Sequence, residues 1–179
     1  MIGTIAVDGI LLLAMVLLAR GLALREVFAL RRPASWSDAF ASGATALGAI
    51  WIASLVLEAT IGHGSREQSV PRYYDAARLA PFVANGLVIA LYVPLVEEAT
   101  WRGIGFYLLQ PWGERAAIAG SAIAFAFAHS VVFDLPWVLV TGLALAALRA
   151  RTRSLFPSFG LHATVNGVAI LAAGLLGGP

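Results

Sequence analysis

Apolar residues run along this chain in long stretches broken by short polar, turn-rich clusters. Several stretches reach the roughly 20 residues that a helix needs to cross about 30 Å of hydrocarbon. Helices satisfy every backbone polar group internally, so the pattern predicts an all-α, polytopic membrane protein of about six transmembrane helices. The first run, Ile5 to Ala19, has no basic leader and reads as a retained anchor. Arg20, Arg25, Arg31 and Arg32 follow, Pro33 and Ser35 break the pattern, and a second run extends from about Ala39 to Ile61. Gly62 to Arg78 is polar and turn-rich, long enough for a surface loop with a short interfacial helix, and Tyr73 and Tyr74 suit headgroup depth there.

The third run, Leu79 to Leu109, is apolar except at Glu97, Glu98 and Arg102. As one helix it would be roughly 46 Å long, so it must tilt, kink or protrude, and Pro94 is the expected bend. Gln110 to Gly113 reads as a tight turn, Ala116 to Phe133 as helix four, and Asp134-Leu-Pro136 as the turn into helix five, which ends near Arg149. Helix six runs from about Pro157 to Leu176. This divides the chain into two N-terminal helices with their loop (1–78) and a C-terminal core (79–179). The arginines of the first loop, Arg115 and Arg149 to Arg153 fall on one side, which the positive-inside rule makes cytoplasmic; Arg66, Arg72 and Arg78 fall on the other.

Composition narrows the functional classes. Of 179 residues, 60% are hydrophobic and 12% charged, and the mean hydropathy of +0.84 excludes a soluble globular enzyme. Without cysteine there is no thiol nucleophile and no cysteine-ligated metal. All 12 basic residues are arginine and are scattered as loop anchors, which argues against a nucleic-acid surface. Arginine without lysine also points to a GC-rich bacterial source, and hence to a bacterial cytoplasmic membrane.

A carboxylate in hydrocarbon costs at least a few kcal/mol, which makes the paired glutamates the most informative feature of the chain. Glu98 and Arg102 share a helix face at i, i+4, with the acid N-terminal, and read as a structural ion pair. Glu97 lies about 100° round the helix and is left to face a cavity. Counting from the turn at Trp112 puts Glu97 about 22 Å up one arm and His129 about 25 Å up the other, at one depth. Together they can deprotonate a water. Ser121, Phe125 and His129 share a face of helix four, beside a small-residue stripe of Gly120, Ala124 and Ala128 where another helix can approach closely. His162 and Asn166, at i, i+4 on helix six, can hold a developing oxyanion.

Three motifs, Glu97-Glu98-Ala-Thr-Trp-Arg102, Phe125-Ala-Phe-Ala-His129 and His162-Ala-Thr-Val-Asn166, resemble those of the CAAX prenyl protease and bacteriocin-processing (CPBP or Abi) intramembrane proteases. The resemblance covers the second half of the chain. It implies a four-helix catalytic core and an endopeptidase acting on peptide or membrane-protein substrates in the bilayer, with Glu97 and His129 activating water and His162 and Asn166 stabilising the tetrahedral intermediate. Family members have been described as metalloproteases, and Glu97, His129 and His162 can in principle hold zinc. A metal-free mechanism is preferred, because HExxH is absent and Asn166 is a poor zinc ligand. The small number of helices before the core puts a prenylated substrate in question.

Other intramembrane protease sites fit poorly. The nearest approach to Gly-x-Ser-Gly is Ala119-Gly-Ser121-Ala, and of the aspartates Asp8 lies near a terminus and Asp134 in a turn. Glu58 and Asp8 read as interfacial, His63 as a solvated loop residue, and Trp36, Trp51, Trp112 and Trp137 as belt residues near helix ends. Trp101 is expected either to wall the cavity or to face lipid. Two other classes remain open: a scaffold or immunity-type protein that uses the same polar residues to lock helices, and a small proton-coupled transporter, although no inverted repeat is visible.

Overall fold

A computed structural model describes residues 2–62, 79–129 and 134–176. Among these residues the regular structure is entirely helical: α1 (Ile2–Leu18), the short α2 (Leu24–Val27), α3 (Trp36–Ile61), the long α4 (Leu79–Trp112), α5 (Glu114–Ala128), α6 (Leu135–Thr152) and α7 (Leu155–Leu176). The expected loop helix, Tyr73, Tyr74, His63 and the loop arginines Arg66, Arg72 and Arg78 lie outside the described residues.

Three of these helices, α3, α4 and α7, are long and apolar enough to cross a membrane. α1 is apolar but has 17 residues, about 26 Å, and α5 has 15, about 23 Å. Large apolar side chains line the outside of the bundle: Ile10 and Leu18 on α1, Ile52 and Leu55 on α3, Leu91 and Leu95 on α4, and Leu171 on α7 are all exposed. So much apolar surface needs lipid as its solvent, and the chain is an integral membrane protein.

Local chemistry sets the helix ends. The Ser35 hydroxyl accepts a hydrogen bond from the Asp38 amide at 3.2 Å, capping α3 where Pro33 and Ser35 interrupt the apolar pattern. Gly113, at φ 100°, reverses the chain between α4 and α5. Pro136 sits in the first turn of α6, where its missing N–H costs nothing.

The long α4 is not a uniform α-helix. Two π-helical segments, Val88–Tyr92 and Ala99–Gly105, bracket a short α-helical stretch, Val93–Glu98, that carries both glutamates. The helix continues through Pro94, with the widened turn directly before it accommodating a ring that a regular turn would exclude.

α6 is the central helix, with buried residues at intervals from Val138 to Ala150, and it packs against α3, α5 and α7. Ile50 of α3, Leu145 and Leu148 of α6 and Leu161 of α7 form one core cluster. A second cluster joins Met15 of α1 and Val27 and Phe28 of the following connection to Val96 and Ala99 of α4. At one end of the bundle, the Leu155 amide donates to the Ala29 carbonyl at 3.1 Å and the Ser154 hydroxyl to the Arg31 carbonyl at 2.6 Å. Phe106, Ala117 and Ala150 pack together at the same end. The arginine-bearing loops of the positive-inside argument therefore meet at one end.

Three expectations need correction. Of the stripe Gly120, Ala124 and Ala128, only Gly120 meets a close neighbour, since an added Cβ would stand 2.9 Å from Leu109 of α4, whereas Ala124 and Ala128 are exposed. The approach to α6 runs through Ala122 and Phe125 to Gly142, where an added Cβ would stand 3.2 Å from the Ala122 carbonyl oxygen and 3.1 Å from the Phe125 ring. Several helix faces here carry small residues, so their spacing alone did not select the contact face. Trp51 lies in the interior of α3, well away from either end, and is exposed on the lipid side. α5 ends at Ala128, short of the expected Phe133, and residues 130–133 lie outside the described residues.

A Cβ on Gly103 would stand 2.7 Å from the buried Phe28 ring, so the connection after α1 is seated against the second π-helical segment of α4. Gly103→Ala is expected to lower thermal stability by about 1–3 kcal/mol through overpacking. Adding Phe28→Leu should bring the combined loss below the sum of the two single losses, as measured by thermal unfolding in detergent.

Candidate active site

The site forms where α4, the C-terminal end of α5 and α7 converge around the two glutamates. Glu98 is fully buried, and its Oε1 accepts from Arg102 Nη1 at 3.0 Å and from His162 Nδ1 at 3.1 Å. Arg102 is also fully buried; its Nη2 donates to the Gly142 carbonyl of α6 at 3.0 Å, and its guanidinium lies 4.3 Å from the centre of the Phe125 ring. One ion pair thus binds α4 to α5, α6 and α7 together. Glu98 Oε2 and Arg102 Nε are buried without a protein partner.

Glu97 projects from the same turn in a different direction and remains about one-quarter exposed. Its Oε1 lies 3.8 Å from His129 Nε2, and its Oε2 lies 3.5 Å from His162 Nε2. His129 is the residue that ends α5, and its Nδ1 donates to the Phe125 carbonyl at 2.8 Å. A carbonyl only accepts, so the proton is on Nδ1 and Nε2 faces Glu97. The edge of the Phe125 ring system contacts both imidazoles, with centroids 4.6 Å from His129 and 5.7 Å from His162. Phe125 therefore spaces the two imidazoles and covers Arg102.

Asn166 is placed differently. Its Nδ2 donates to the Ile89 carbonyl at 3.0 Å, in the first π-helical segment of α4 and two turns before Glu97. His162 has both ring nitrogens close to carboxylates. The two residues expected to form an oxyanion site are thus each tied to the protein through one group, which leaves the second Asn166 amide hydrogen and His162 Nε2. Trp101 packs with Phe125, Ala126 and Val138, which makes it part of the wall between α4, α5 and α6. Glu58 is exposed late in α3, and Asp8 is partly covered near the start of α1, both far along the chain from the cluster.

A model of the type II CAAX prenyl endopeptidase Rce1-like family matches residues 79–168, half of the chain. The chain belongs to this family. It is accordingly an intramembrane protease of the CAAX type, and the matched region spans all three motifs, from the start of α4 to beyond Asn166. Neither the curated proteins nor the solved structures include a match to the chain.

Sequence reasoning missed Arg149. It was read as marking a loop, yet it is buried, and its Nε donates to the Arg102 carbonyl at 3.1 Å. No spacing rule links it to a residue on another helix.

Removing one partner of a fully buried ion pair leaves the other charge uncompensated. Glu98→Ala is expected to destabilise the protein by about 3–5 kcal/mol, seen as a sharply lower unfolding temperature or loss of purified yield. A Glu98→Ala protein that is stable but inert, beside an active Glu97→Ala protein, would reverse the roles assigned to the two glutamates.

Proposed function

We propose that this protease hydrolyses a peptide bond with a water activated by Glu97 and His129. The observation that carries this reading is the convergence of one partly exposed carboxylate with two imidazole Nε2 atoms, at 3.8 and 3.5 Å, from three helical elements. A water held at the Glu97–His129 edge gives its proton to this pair as its oxygen attacks the scissile carbonyl carbon. The tetrahedral oxyanion is met by the second hydrogen of the Asn166 amide, since the first is donated to Ile89, and by His162 Nε2 in the imidazolium form, in which Nδ1–H stays on Glu98 and Nε2 carries the other proton. Collapse breaks the C–N bond, and the proton taken from water passes to the leaving nitrogen. The substrate is a peptide or membrane protein reached within the bilayer, and the setting is a bacterial cytoplasmic membrane.

The preferred mechanism is metal-free, as in a glutamic protease. A zinc-dependent version draws on one observation: both histidines have Nδ1 tied to a protein acceptor, which leaves both Nε2 atoms facing Glu97, an arrangement also used to orient metal-ligating imidazoles. Glu97, His129 and His162 would hold the ion, which would supply Lewis-acid polarisation of water. As they stand these three side chains do not make a three-ligand cluster, so the zinc-dependent version requires them to close in.

Glu97→Ala and His129→Ala are each expected to abolish cleavage while leaving the protein inserted and folded. The measurement is a proteomic comparison of membranes carrying the native chain or the Glu97→Ala variant, scored by new protein termini. Identical termini would favour a packing role for these residues, in a scaffold. Treatment of the purified protein with a strong chelator should leave activity intact, and loss restored by added zinc would favour the metal version.

A further inference from the structure

We infer that Arg149 is a positioning residue for the glutamate pair, acting from α6 through the backbone of α4. The inference rests on the protease reading for its kinetic consequence and on geometry alone for its structural one.

Two arginines on different helices each bind the backbone of the other's helix. Arg102 Nη2 donates to the Gly142 carbonyl of α6, and Arg149 Nε donates to the Arg102 carbonyl of α4. The two contacts hold α4 and α6 at a fixed relative height about two turns apart, and Arg102 is part of both. The Arg102 carbonyl lies within the π-helical segment Ala99–Gly105, directly after Glu98. In such a segment the regular i→i+4 pairing is interrupted, and carbonyls become available to side-chain donors. Arg149 takes one of them.

The guanidinium of Arg149 is held in place on a second side. Its Cζ lies 5.0 Å from the centre of the Phe106 ring, and Phe106 is itself buried one turn after Arg102. A donor and a ring contact from one planar group fix the orientation of the guanidinium in a way that a lysine ammonium cannot reproduce. From Arg149 the contacts run to the Arg102 backbone, through the Arg102 side chain to Glu98, from Glu98 to His162 Nδ1, and from His162 Nε2 to Glu97. A shift of the π-helical segment would therefore change how His162 and Glu97 face each other, although Arg149 touches neither.

The test uses Arg149→Gln and Arg149→Lys in the full-length protein in detergent or nanodiscs, with Arg151→Gln as control. Arg151 is exposed and bonds to Ser42 at the bundle surface. The chain has three histidines, so nitrogen-15 labelling of histidine gives few imidazole signals to assign. In folded Arg149→Gln the His162 ring-nitrogen signals are expected to move, with Arg149→Lys between it and the native protein and Arg151→Gln unchanged. In the peptidase assay kcat should fall by about 10–100-fold in Arg149→Gln, as for a misplacement of reacting groups, while KM stays near its native value. A folded Arg149→Gln protein with native imidazole signals and native kcat overturns the inference, as does an activity loss that only tracks the folded fraction. If Arg149→Gln does not fold, Arg149→Lys carries the same comparison. If the native protein cleaves nothing, the protease reading fails by itself, and the imidazole signals still decide the role of Arg149.

Discussion

The arrangement of the second half of the molecule depends on placing a fully buried Glu98–Arg102 ion pair inside a helical bundle that lipid surrounds. Desolvating two such charges costs several kcal/mol each, and their mutual attraction compensates only when the remaining hydrogen-bonding positions are also filled. Here the groups around the pair come from the surrounding helices, the Gly142 carbonyl of α6, the imidazole of His162 on α7 and the ring of Phe125 on α5, and they leave Glu98 Oε2 and Arg102 Nε without a protein partner. Gly142 has no side chain where α5 and α6 come together, so its carbonyl can be presented at short range to Arg102. The requirement to satisfy this pair thus fixes three helices against α4, and it explains why the residues around it are small, aromatic or polar at those positions.

The π-helical segments on either side of Val93–Glu98 add a second constraint. In each, a carbonyl of α4 accepts from a side chain of another helix, Ile89 from Asn166 and Arg102 from Arg149. The short α-helical stretch with the glutamates is consequently held at both ends from α7 and α6. Within it, two successive residues diverge by about 100°, enough for Glu98 to face the bundle interior while Glu97 faces a partly open edge.

Much of this was legible in the sequence, for a physical reason in each case. Charged residues in an apolar run can be read because they must find partners, and the i, i+4 spacing of Glu98 with Arg102 names a partner on the same helix. Helix extents followed from apolar runs ended by Ser35, Gly113 and Pro136. The features that were not legible depend on backbone atoms or on other helices. The hydrogen bond from Asn166 ends on a carbonyl, which carries no residue signature, so the commitment of one of its two amide hydrogens to α4 was not visible. The stripe of Gly120, Ala124 and Ala128 was indistinguishable by size from the contact face at Ala122, because both are made of small residues. Arg149 was grouped with the loop arginines because position along a helix does not reveal which neighbour covers it.

Exposure separates the roles of the two imidazoles more clearly than distance does. His129 and Glu97 are each about one-quarter exposed at the side chain, whereas His162 is 4% exposed and lies behind Glu97 against the buried ion pair. A water or a substrate chain arriving from outside meets the Glu97–His129 edge first. His162 reaches that edge only with Nε2, since its Nδ1 is held by Glu98, so its orientation is set by the ion pair and not by the substrate. His129, in contrast, is oriented by the Phe125 carbonyl of its own helix. The proposed base therefore sits at the accessible rim on the end of α5, and the proposed oxyanion donor is anchored in the interior. With the second donor, Asn166, fixed to α4, both groups that would receive developing charge are placed before substrate arrives, which is the condition under which such donors lower a barrier most.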